Sequence, residues 1–366
     1  MAAPVMVRDP DRRAFYSRRT VRRDCQVPIS DTINTQIILK SRPVGIPQVE
    51  HFERTESRIP DPIEGQFLVR NRYISIDPAM RGWANLAKNY SEPVALGAVM
   101  RAVTAGEVIA SRHPDFSIGD RVVGTFGLQE YAVDDGSMLR FKVPDLQGAD
   151  IPLETFLGVL GSTGITAYCG LMFIGEPKPN DCVVVSTAAG AVGSVAGQIA
   201  KLQGCRTVGL TGSDEKVALC KDAFGYDAAI NYKTANLGEA LADACPDGVN
   251  VYFDNTAGAI SDAVYGKLAV GARSIICGTA SVAVWSPPPD GPRIERTLLV
   301  TRARFQGLYT FDYKDRWPEV QAQLCQWFLD GKLAHRVEIH EGIDVAAGAI
   351  QRLYKGNNMG KLMVKI

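Results

Sequence analysis

Glycines and small residues directly follow an apolar strand pattern at Val183–Thr187, and their spacing suits the binding of a phosphate group. The motif reads Ala188-x-Gly190-x-x-Gly193, a variant of the dinucleotide fingerprint with alanine in the first glycine place. Such a turn lets the backbone approach a diphosphate closely, and the helix that follows offers unpaired N–H groups and a partial positive charge. We therefore predict that this turn binds the diphosphate of a dinucleotide, through Gly190, Ala191, Val192 and Gly193.

The residues about 20 positions after the glycine turn indicate which dinucleotide is bound. An NAD site requires a carboxylate there for the ribose 2′-hydroxyl, whereas Gly209–Ser213 contains no acid. Gly212 leaves room for a 2′-phosphate, Ser213 can donate to it, and Lys216 can supply the opposite charge. The pattern favours NADP(H), and the alternative is that Asp214 turns toward a ribose hydroxyl.

The segments around this motif alternate between strand and helix patterns. From about residue 157, buried-strand runs such as Val183–Thr187 and Thr207–Thr211 are separated by segments with helical spacing, which implies βαβ units and a parallel sheet. Between about residues 36 and 141 the runs are short, alternate with period two and are separated by turn residues. This pattern of short alternating runs predicts an antiparallel, barrel-like β domain. After Asp315 the sequence predicts a helix, a strand, another helix and a last strand, with which the chain returns to the β domain.

We predict two domains, with a nucleotide-binding domain inserted into the β domain. A length of 366 residues suits two domains. The predicted ranges are 1–30 for a poorly ordered Arg-rich tail, 31–156 with 330–366 for the substrate-binding β domain, and 157–329 for the NADP(H)-binding domain. The acidic residues of the tail argue against a transit peptide, since such peptides avoid acids.

The composition excludes several classes of function. Forty Lys and Arg balance 40 Asp and Glu, so no broad nucleic-acid-binding face is expected. The eight cysteines form no C-x-x-C pair and the four histidines lie in no cluster with zinc-ligand spacing. We therefore predict reduced thiols, a cytoplasmic location and no metal site. The apolar run Phe156–Ile174 is broken by four glycines, which favours a buried helix beside the cofactor over a membrane span.

Eight short motifs carry a resemblance to one family of oxidoreductases. They are LKSRPVG at 39–45, DPAMRG at 77–82, LGSTGITAYCGL at 160–171, AAGAVGSVAGQIAK at 188–201, GSDEK at 212–216, NYK at 231–233, YFDN at 252–255 and NNMGKLMVKI at 357–366. With these motifs the chain from about Ile38 to Ile366 resembles the zinc-independent medium-chain dehydrogenase/reductases. Within them it is similar to the NADPH-dependent alkenal/one reductases, the group of leukotriene B4 12-hydroxydehydrogenase, prostaglandin reductase and curcumin reductase. The resemblance implies an α/β chain with a GroES-like β-barrel domain and an inserted, doubly wound Rossmann domain.

The resemblance also implies roles for individual residues. Lys216 and Tyr232 would hold the adenosine 2′-phosphate. Asn255 would meet the cofactor ribose region, and Asn358 would reach in from the returning β domain. Two segments would flank the nicotinamide. The first is a turn with Cys277, Gly278, Ser281 and Ala283, and the second consists of Leu308, Tyr309 and Thr310.

Two departures from the family pattern affect the predicted substrate pocket. Ala79 stands where the family has the tyrosine of DPYMR, and Ala283 stands where it has a tyrosine thought to lie over the substrate carbonyl. Loss of both phenols weakens stabilisation of the enolate oxygen, for which the nicotinamide ribose hydroxyl, Tyr309 or Tyr90 could substitute. We name Tyr309 as the candidate catalytic residue. The pocket is also predicted to be wider, with walls formed by Ala79, Trp83, Tyr90, Ala283 and Trp285.

The predicted function is NADPH-dependent reduction of the C=C bond of α,β-unsaturated ketones or aldehydes, with hydride transfer to the β-carbon. Alternatives are a quinone reductase, an NADP-dependent alcohol dehydrogenase or, outside the enzymes, an NADPH-binding structural or redox-sensing protein. The expected partners are a small-molecule substrate and a second copy of the chain, with no nucleic acid and no membrane. The homodimer is expected from the resemblance and from an exposed edge strand predicted at Ala272–Gly278.

Overall fold

The computed structural model describes residues 32–86, 91–146, 148–282, 285 and 287–366. Three sequence predictions, for the Arg-rich tail at 1–30, for Tyr90 and for Ala283, fall outside these described residues. Within the described ranges, no helix has both the length and the apolar character needed to cross a lipid bilayer.

From residue 182 onward strands and α-helices alternate, as the sequence pattern predicts. The strands of the described ranges are β1 (Ile33–Leu39), β2 (Phe52–Arg58), β3 (Phe67–Ser75), β4 (Thr104–Ser111), β5 (Arg121–Gly124), β6 (Tyr131–Asp134), β7 (Leu139–Lys142), β8 (Cys182–Ser186), β9 (Arg206–Thr211), β10 (Ala228–Asn231), β11 (Val249–Asp254), β12 (Leu268–Ile276), β13 (Arg304–Gly307), β14 (Val337–Glu341) and β15 (Lys361–Lys365). The α-helices are α1 (Ala79–Ala84), α2 (Ser162–Cys169), α3 (Ala191–Leu202), α4 (Asp214–Asp222), α5 (Leu237–Ala244), α6 (Gly258–Tyr265), α7 (Glu295–Thr301), α8 (Trp317–Leu329) and α9 (Ala346–Tyr354).

One sheet unites strands from the first and the last parts of the chain. Its order is β14-β15-β3-β4-β5-β7, and β6 pairs with β3. Apart from the parallel pair β14–β15, its strands pair antiparallel. β1 and β2 form a separate antiparallel pair, and bridges from Gln36 to Gln129 and from Ile38 to Val99 connect β1 to the loops of the larger sheet. The predicted barrel-like β domain, with the chain returning to it, is confirmed.

The second sheet is parallel and has the order β10-β9-β8-β11-β12-β13. All five residues of β8 are buried, as expected for a central strand with helices on both faces of the sheet. The strand order reverses between β8 and β11, and ligands of doubly wound sheets bind outside the carboxyl ends of the strands at such a reversal. The predicted Rossmann fold is confirmed, and the reversal marks where its ligand is expected.

β12 is not the edge strand that the sequence predicted. It pairs in parallel with β13 from Arg273 opposite Arg304 to Ile276 opposite Gly307. The prediction of an exposed edge at Ala272–Gly278 is therefore wrong, and β13 forms that edge. β13 has only four residues and most of them are exposed, so it lacks the apolar run by which buried strands are recognised.

The apolar run Phe156–Ile174 is not one helix. A 3-10 turn ends at Leu157, α2 begins only at Ser162, and a π-helix follows at Gly170–Gly175. A Cβ at Gly161 would lie 1.8 Å from the carbonyl oxygen of Phe156, so the turn before α2 is too tight for a side chain. The predicted buried helix is confirmed only from Ser162 onward.

His335 is buried in the segment between α8 and β14. A Cβ at Gly158 would lie 2.2 Å from its Nε2, so the histidine occupies space that only glycine leaves free. Nε2 has no hydrogen-bond partner among the described residues. Burial, helped by the nearby Lys361 ammonium, lowers the pKa of His335 to about 4. The ring is therefore neutral at physiological pH.

We expect this histidine to make the free energy of unfolding depend on pH between about 6.5 and 4. The unfolded chain takes up a proton in this range that the folded chain does not, so stability is complete above pH 6.5 and falls with pH. The loss at pH 5 should be roughly 2 kcal/mol relative to pH 8. Urea unfolding of the wild type and of His335→Gln at both pH values measures it. An equal pH dependence in the two proteins would refute the assignment.

Candidate functional site

The turn between β8 and α3, here called the glycine cradle, brings backbone groups close together at Gly190 and Gly193. Thr187 adopts a positive φ of 49°, and a Cβ at Gly193 would lie 2.3 Å from its carbonyl oxygen. Gly190 is the N-cap of α3 and has an extended backbone, and no side chain caps the helix. The first N–H groups of α3 thus have neither a helical partner nor a capping group. This geometry fits a diphosphate at Gly190–Gly193, where the sequence predicted one.

The end of β9 and the start of α4 bring together the four residues predicted at the 2′-phosphate. Ser213 is the N-cap of α4, and its Oγ accepts a hydrogen bond from the backbone N–H of Lys216 at 3.3 Å. A Cβ at Gly212 would lie 2.8 Å from the hydroxyl of Tyr232. Ser213 thus has a capping role that the sequence analysis had not assigned, and Gly212 keeps the space beside Tyr232 open.

Lys233 is a second cation at this place, and the sequence analysis did not name it. A Cβ at Gly212 would lie 3.2 Å from its Cε. Burial, together with repulsion from the Lys233 charge, lowers the pKa of Lys216. Two ammonium groups that repel each other are stabilised when an anion lies between them. The pair fits the 2′-phosphate of NADP(H), and its signal in the sequence was a lysine next to Tyr232.

Asp214, in the first turn of α4, is hydrogen-bonded to the end of β10. Its Oδ1 accepts a hydrogen bond from Asn231 Nδ2 at 2.8 Å, at the end of β10. The carboxylate is thus engaged by the neighbouring strand. The alternative in which Asp214 binds a ribose hydroxyl stays a hypothesis.

The loop after α9 contacts the lysine that is predicted at the 2′-phosphate. Lys216 Nζ donates to the carbonyl oxygen of Gly356 at 2.8 Å. Asn358 is buried, and its Nδ2 donates to the carbonyl oxygen of Gly360 at 2.8 Å. The loop that precedes Asn358 thus contacts α4 of the nucleotide-binding unit, and the cofactor contact of Asn358 stays a prediction.

Asp254, at the end of β11, organises the turn that contains Asn255, and the sequence analysis missed its role. Its buried carboxylate accepts hydrogen bonds from the backbone N–H groups of Thr256 (2.8 Å) and Ala257 (2.9 Å), and from the hydroxyls of Ser186, Tyr252, Thr256, Ser261 and Tyr265. Asn255 in turn donates from Nδ2 to the carbonyl oxygen of Ser186 at 2.8 Å. Asn255 is thereby held beside the glycine turn.

The predicted nicotinamide turn after β12 packs against the Asp254 turn. The backbone N–H groups of Cys277 and Gly278 donate to the carbonyl oxygen of Asp254 at 2.8 and 3.0 Å. Ser281 Oγ donates to the carbonyl oxygen of Thr256 at 2.8 Å. Burial and the Asp254 charge raise the pKa of Cys277 to about 12. Cys277 is therefore a protonated thiol that lines the turn and does not act as a nucleophile.

The second predicted nicotinamide segment, Leu308–Thr310, lies against α2. A Cβ at Gly170 would approach Leu308 Cδ2 to 2.8 Å, and the hydroxyls of Thr310 and Thr166 are 3.1 Å apart. The ring of Tyr309 lies 5.4 Å from that of Phe311. The segment thus packs against α2 and the residue that follows it. The catalytic role of Tyr309 stays a prediction.

The predicted substrate-pocket residues lie in different environments. Ala79 is half-buried and begins α1. Trp83 is only 6% exposed and packs in the hydrophobic core, with the Arg101 guanidinium 5.6 Å above its ring. Trp285 is 51% exposed. The assignment of these residues to one pocket stays a prediction.

These features define a class of protein. The uncapped helix, the glycine cradle and the lysine pair lie on a doubly wound sheet, and a β domain packs beside it. Such an arrangement is that of a two-domain oxidoreductase dependent on a dinucleotide. Among the described residues, no three His, Cys, Asp or Glu side chains come together to hold a metal ion.

Comparison with known proteins shows the particular family. Two family models match, one described as the N-terminal domain of oxidoreductase over residues 35–141 and one described as zinc-binding dehydrogenase over residues 191–326. A protein of Bacillus subtilis named as an NADP-dependent oxidoreductase is 43% identical over 334 residues, which cover 90% of this chain and 97% of the relative. The NADPH-dependent curcumin reductase of Escherichia coli is 39% identical over 340 residues, covering 91% and 97%.

A solved structure gives the same result. The crystal structure of CurA from Vibrio vulnificus in complex with NADPH matches with a TM-score of 0.84 and 41% identity, covering 90% of this chain and 98% of that one. The chain belongs to the alkenal/one reductase group of the medium-chain dehydrogenase/reductases. The family predicted from the motifs is confirmed.

Proposed function

We propose that this protein reduces the C=C bond of α,β-unsaturated ketones and aldehydes with NADPH. The observation that carries the proposal is the lysine pair at Gly212 beside a glycine cradle, which together match NADP(H). The relatives named for NADP, for NADPH and for curcumin, itself an unsaturated diketone, support the same chemistry.

The residues of the chain bind and orient the reactants. NADPH, when bound, supplies the hydride for the electron-poor β-carbon. Gly190–Gly193 and the N-terminus of α3 would hold the diphosphate, and Lys216 with Lys233 would hold the 2′-phosphate. Asn255 would orient the ribose beside the nicotinamide. The α-carbon takes its proton from water in this proposal.

The substrate side of the cleft favours bulky enones over small alkenals. Ala79 is half-buried and is smaller than the tyrosine of the family pattern DPYMR at this place, so it leaves space beside it. Tyr309 supplies the phenol that would donate to the developing enolate oxygen, replacing the lost tyrosine. The substrate class is therefore an α,β-unsaturated carbonyl compound larger than a simple alkenal.

The test is the oxidation of NADPH, followed by absorbance, with a panel of enones of increasing size. With deuterium in the transferred position of NADPH, mass spectrometry and NMR should find the label on the β-carbon of the saturated product. Turnover of quinones alone would favour a quinone reductase, and oxidation of alcohols would favour an alcohol dehydrogenase. Tight binding of NADPH without turnover of any substrate would favour the structural or redox-sensing alternative.

We also propose that the nucleotide-binding unit spans residues 157–329, and that residues 31–156 and 330–366 form the β domain. The parallel strands β8–β13 all lie within the first range, and the strands of the other sheet all lie outside it. The seven cysteines of the described residues are free, which fits a reducing compartment, and we propose the cytoplasm.

A homodimer is our proposal for the assembly. β13 leaves one edge of the parallel sheet unpaired among the described residues, and α7 beside it exposes Leu299 by 75% together with Val300. Pairing of two β13 strands about a two-fold axis would bury both features. Light scattering after size exclusion should give twice the chain mass, and Leu299→Glu should shift it toward the monomer. A monomer mass for the wild type at micromolar concentration would contradict the dimer.

A further inference from the structure

Arg81 connects the two sheets across the cleft. It lies in α1, two residues after Ala79, and its Nη2 donates to the carbonyl oxygen of Val282 at 3.0 Å. Val282 belongs to the turn that follows β12 of the parallel sheet. The hydrogen bond therefore joins a helix of the β domain to the turn proposed to flank the nicotinamide.

The acceptor of this hydrogen bond lies in a turn that makes further backbone hydrogen bonds. Val282 is 8% exposed, and its N–H donates to the carbonyl oxygen of Thr279 at 3.1 Å. The N–H of Ser281 donates to the carbonyl oxygen of Thr256 at 3.0 Å, within the turn that the Asp254 carboxylate organises. Arg81 is thus hydrogen-bonded to a turn that is itself hydrogen-bonded to the turn after β11.

The guanidinium is held from the other side by α9. Its central carbon lies 4.7 Å from the centroid of the Tyr354 ring, and the Tyr354 hydroxyl donates to the carbonyl oxygen of Pro78, which precedes α1. Arg81 Nη1 is enclosed and has no hydrogen-bond partner among the described residues. A buried donor without an acceptor is destabilising, so stability alone does not account for the arrangement.

We propose that Arg81 is a positioning residue for hydride transfer, and this rests on the function proposed above. It sets the separation between α1, which carries Ala79, and the Cys277–Val282 turn. These are the walls that the two domains contribute to the substrate cleft. Transfer of a hydride requires the donor and acceptor carbons in near contact, and a displacement of about 1 Å costs on the order of a hundredfold in rate.

The kinetic test compares Arg81, which lies in α1, with Arg42, which donates a hydrogen bond to the end of that helix. Arg81→Met removes the bridge, and kcat with a bulky enone should fall about tenfold to a hundredfold. The KM for NADPH should stay within about twofold, because the phosphate contacts are unchanged. Arg81→Lys should recover part of kcat, since an ammonium can still donate to Val282. The matched control is Arg42→Met, because Arg42 Nη1 donates to the carbonyl oxygen of Ala84 (3.1 Å) at the far end of α1 without crossing the cleft.

Hydrogen–deuterium exchange of the protein without cofactor gives a second, activity-independent measurement. The amides of Ala280–Val282 should exchange faster in Arg81→Met than in the wild type and should be unchanged in Arg42→Met. If the wild type reduces no enone, the proposed function fails while the exchange result still tests the bridge. A wild-type kcat in Arg81→Met, an equal loss of kcat in Arg42→Met, or unchanged exchange at Ala280–Val282 would each overturn the proposal.

Discussion

Lys216→Ala should raise the KM for NADPH at least tenfold and leave the KM for NADH almost unchanged. A hydrogen bond to a charged group contributes about 1.5 to 3 kcal/mol, and only NADPH carries the 2′-phosphate that receives it. The structure places Lys216 near Lys233, whose Cε lies with the Tyr232 hydroxyl beside Gly212. Removal of both lysines should therefore raise the KM for NADPH further than removal of either one.

Steady-state kinetics with both cofactors checks this expectation. Lys221→Ala is the matched control, because Lys221 is an exposed lysine in the last turn of the same helix, α4. It should leave both KM values unchanged. An equal loss of affinity for NADPH and NADH in Lys216→Ala would show that the residue supports the fold of the site and does not select the phosphate.

The pH dependence of the KM gives a further expectation at this site. Burial and the Lys233 charge lower the pKa of Lys216, so its ammonium loses its proton at a lower pH than an ordinary lysine. The KM for NADPH should rise as pH increases through that pKa. Lys233→Met removes the repelling charge, and the rise should move to higher pH.

Asp254→Ala should lower the free energy of unfolding by roughly 4 kcal/mol or more. The carboxylate is fully buried and accepts from two backbone N–H groups and several hydroxyls, which would lose their acceptor together. Each buried donor left without an acceptor costs about 1 to 3 kcal/mol, and rotation of the hydroxyls recovers part of the total. Asp254→Asn keeps one acceptor oxygen and should cost less.

Urea unfolding followed by circular dichroism measures these losses. Asp262→Ala is the comparison variant, because Asp262 lies on the adjacent helix α6 outside the hydrogen-bond network. Its charge repels that of Asp254, so its removal should not lower the free energy of unfolding by more than about 0.5 kcal/mol. Affinity for NADPH should also fall in Asp254→Asn, since the turn that carries Asn255 and supports Ser281 is loosened. A stability for Asp254→Ala equal to that of Asp262→Ala would contradict the role of the carboxylate.

The local geometry of the proposed cofactor site was largely predictable because its parts are close in sequence. The diphosphate turn, the uncapped helix and the Gly212–Lys216 turn all belong to one βαβ unit, whose handedness and strand order leave little freedom. The periodicity of its apolar residues predicted the sheet, and the missing acid near Gly212 predicted the phosphate. The direction in which Asp214 points was left open, because a single rotamer decides it.

Short or irregular segments were the ones that sequence patterns described wrongly. β13 has four mostly exposed residues, so the edge of the parallel sheet was assigned to β12. The apolar run before α2 was read as helix, although the close approach of Gly161 to Phe156 makes a tight turn there. In both cases the local structure depends on a contact between two segments, β12 with β13 or Gly161 with Phe156, and the spacing of apolar residues along the chain does not predict such contacts.

The sequence by itself determined the family, the two kinds of sheet and the nature of the dinucleotide, because each of these depends on local spacing and residue type. Only the tertiary structure decided which distant groups meet. Arg81 and Val282 are 201 positions apart, and Lys216 contacts Gly356 across 140 positions. The order of two sheets in one chain does not specify the side-chain contacts between them, since those depend on how the sheets pack together. The walls that we propose for the substrate cleft come from α1 of the β domain and from the turn after β12, so their contacts became visible only in the folded chain.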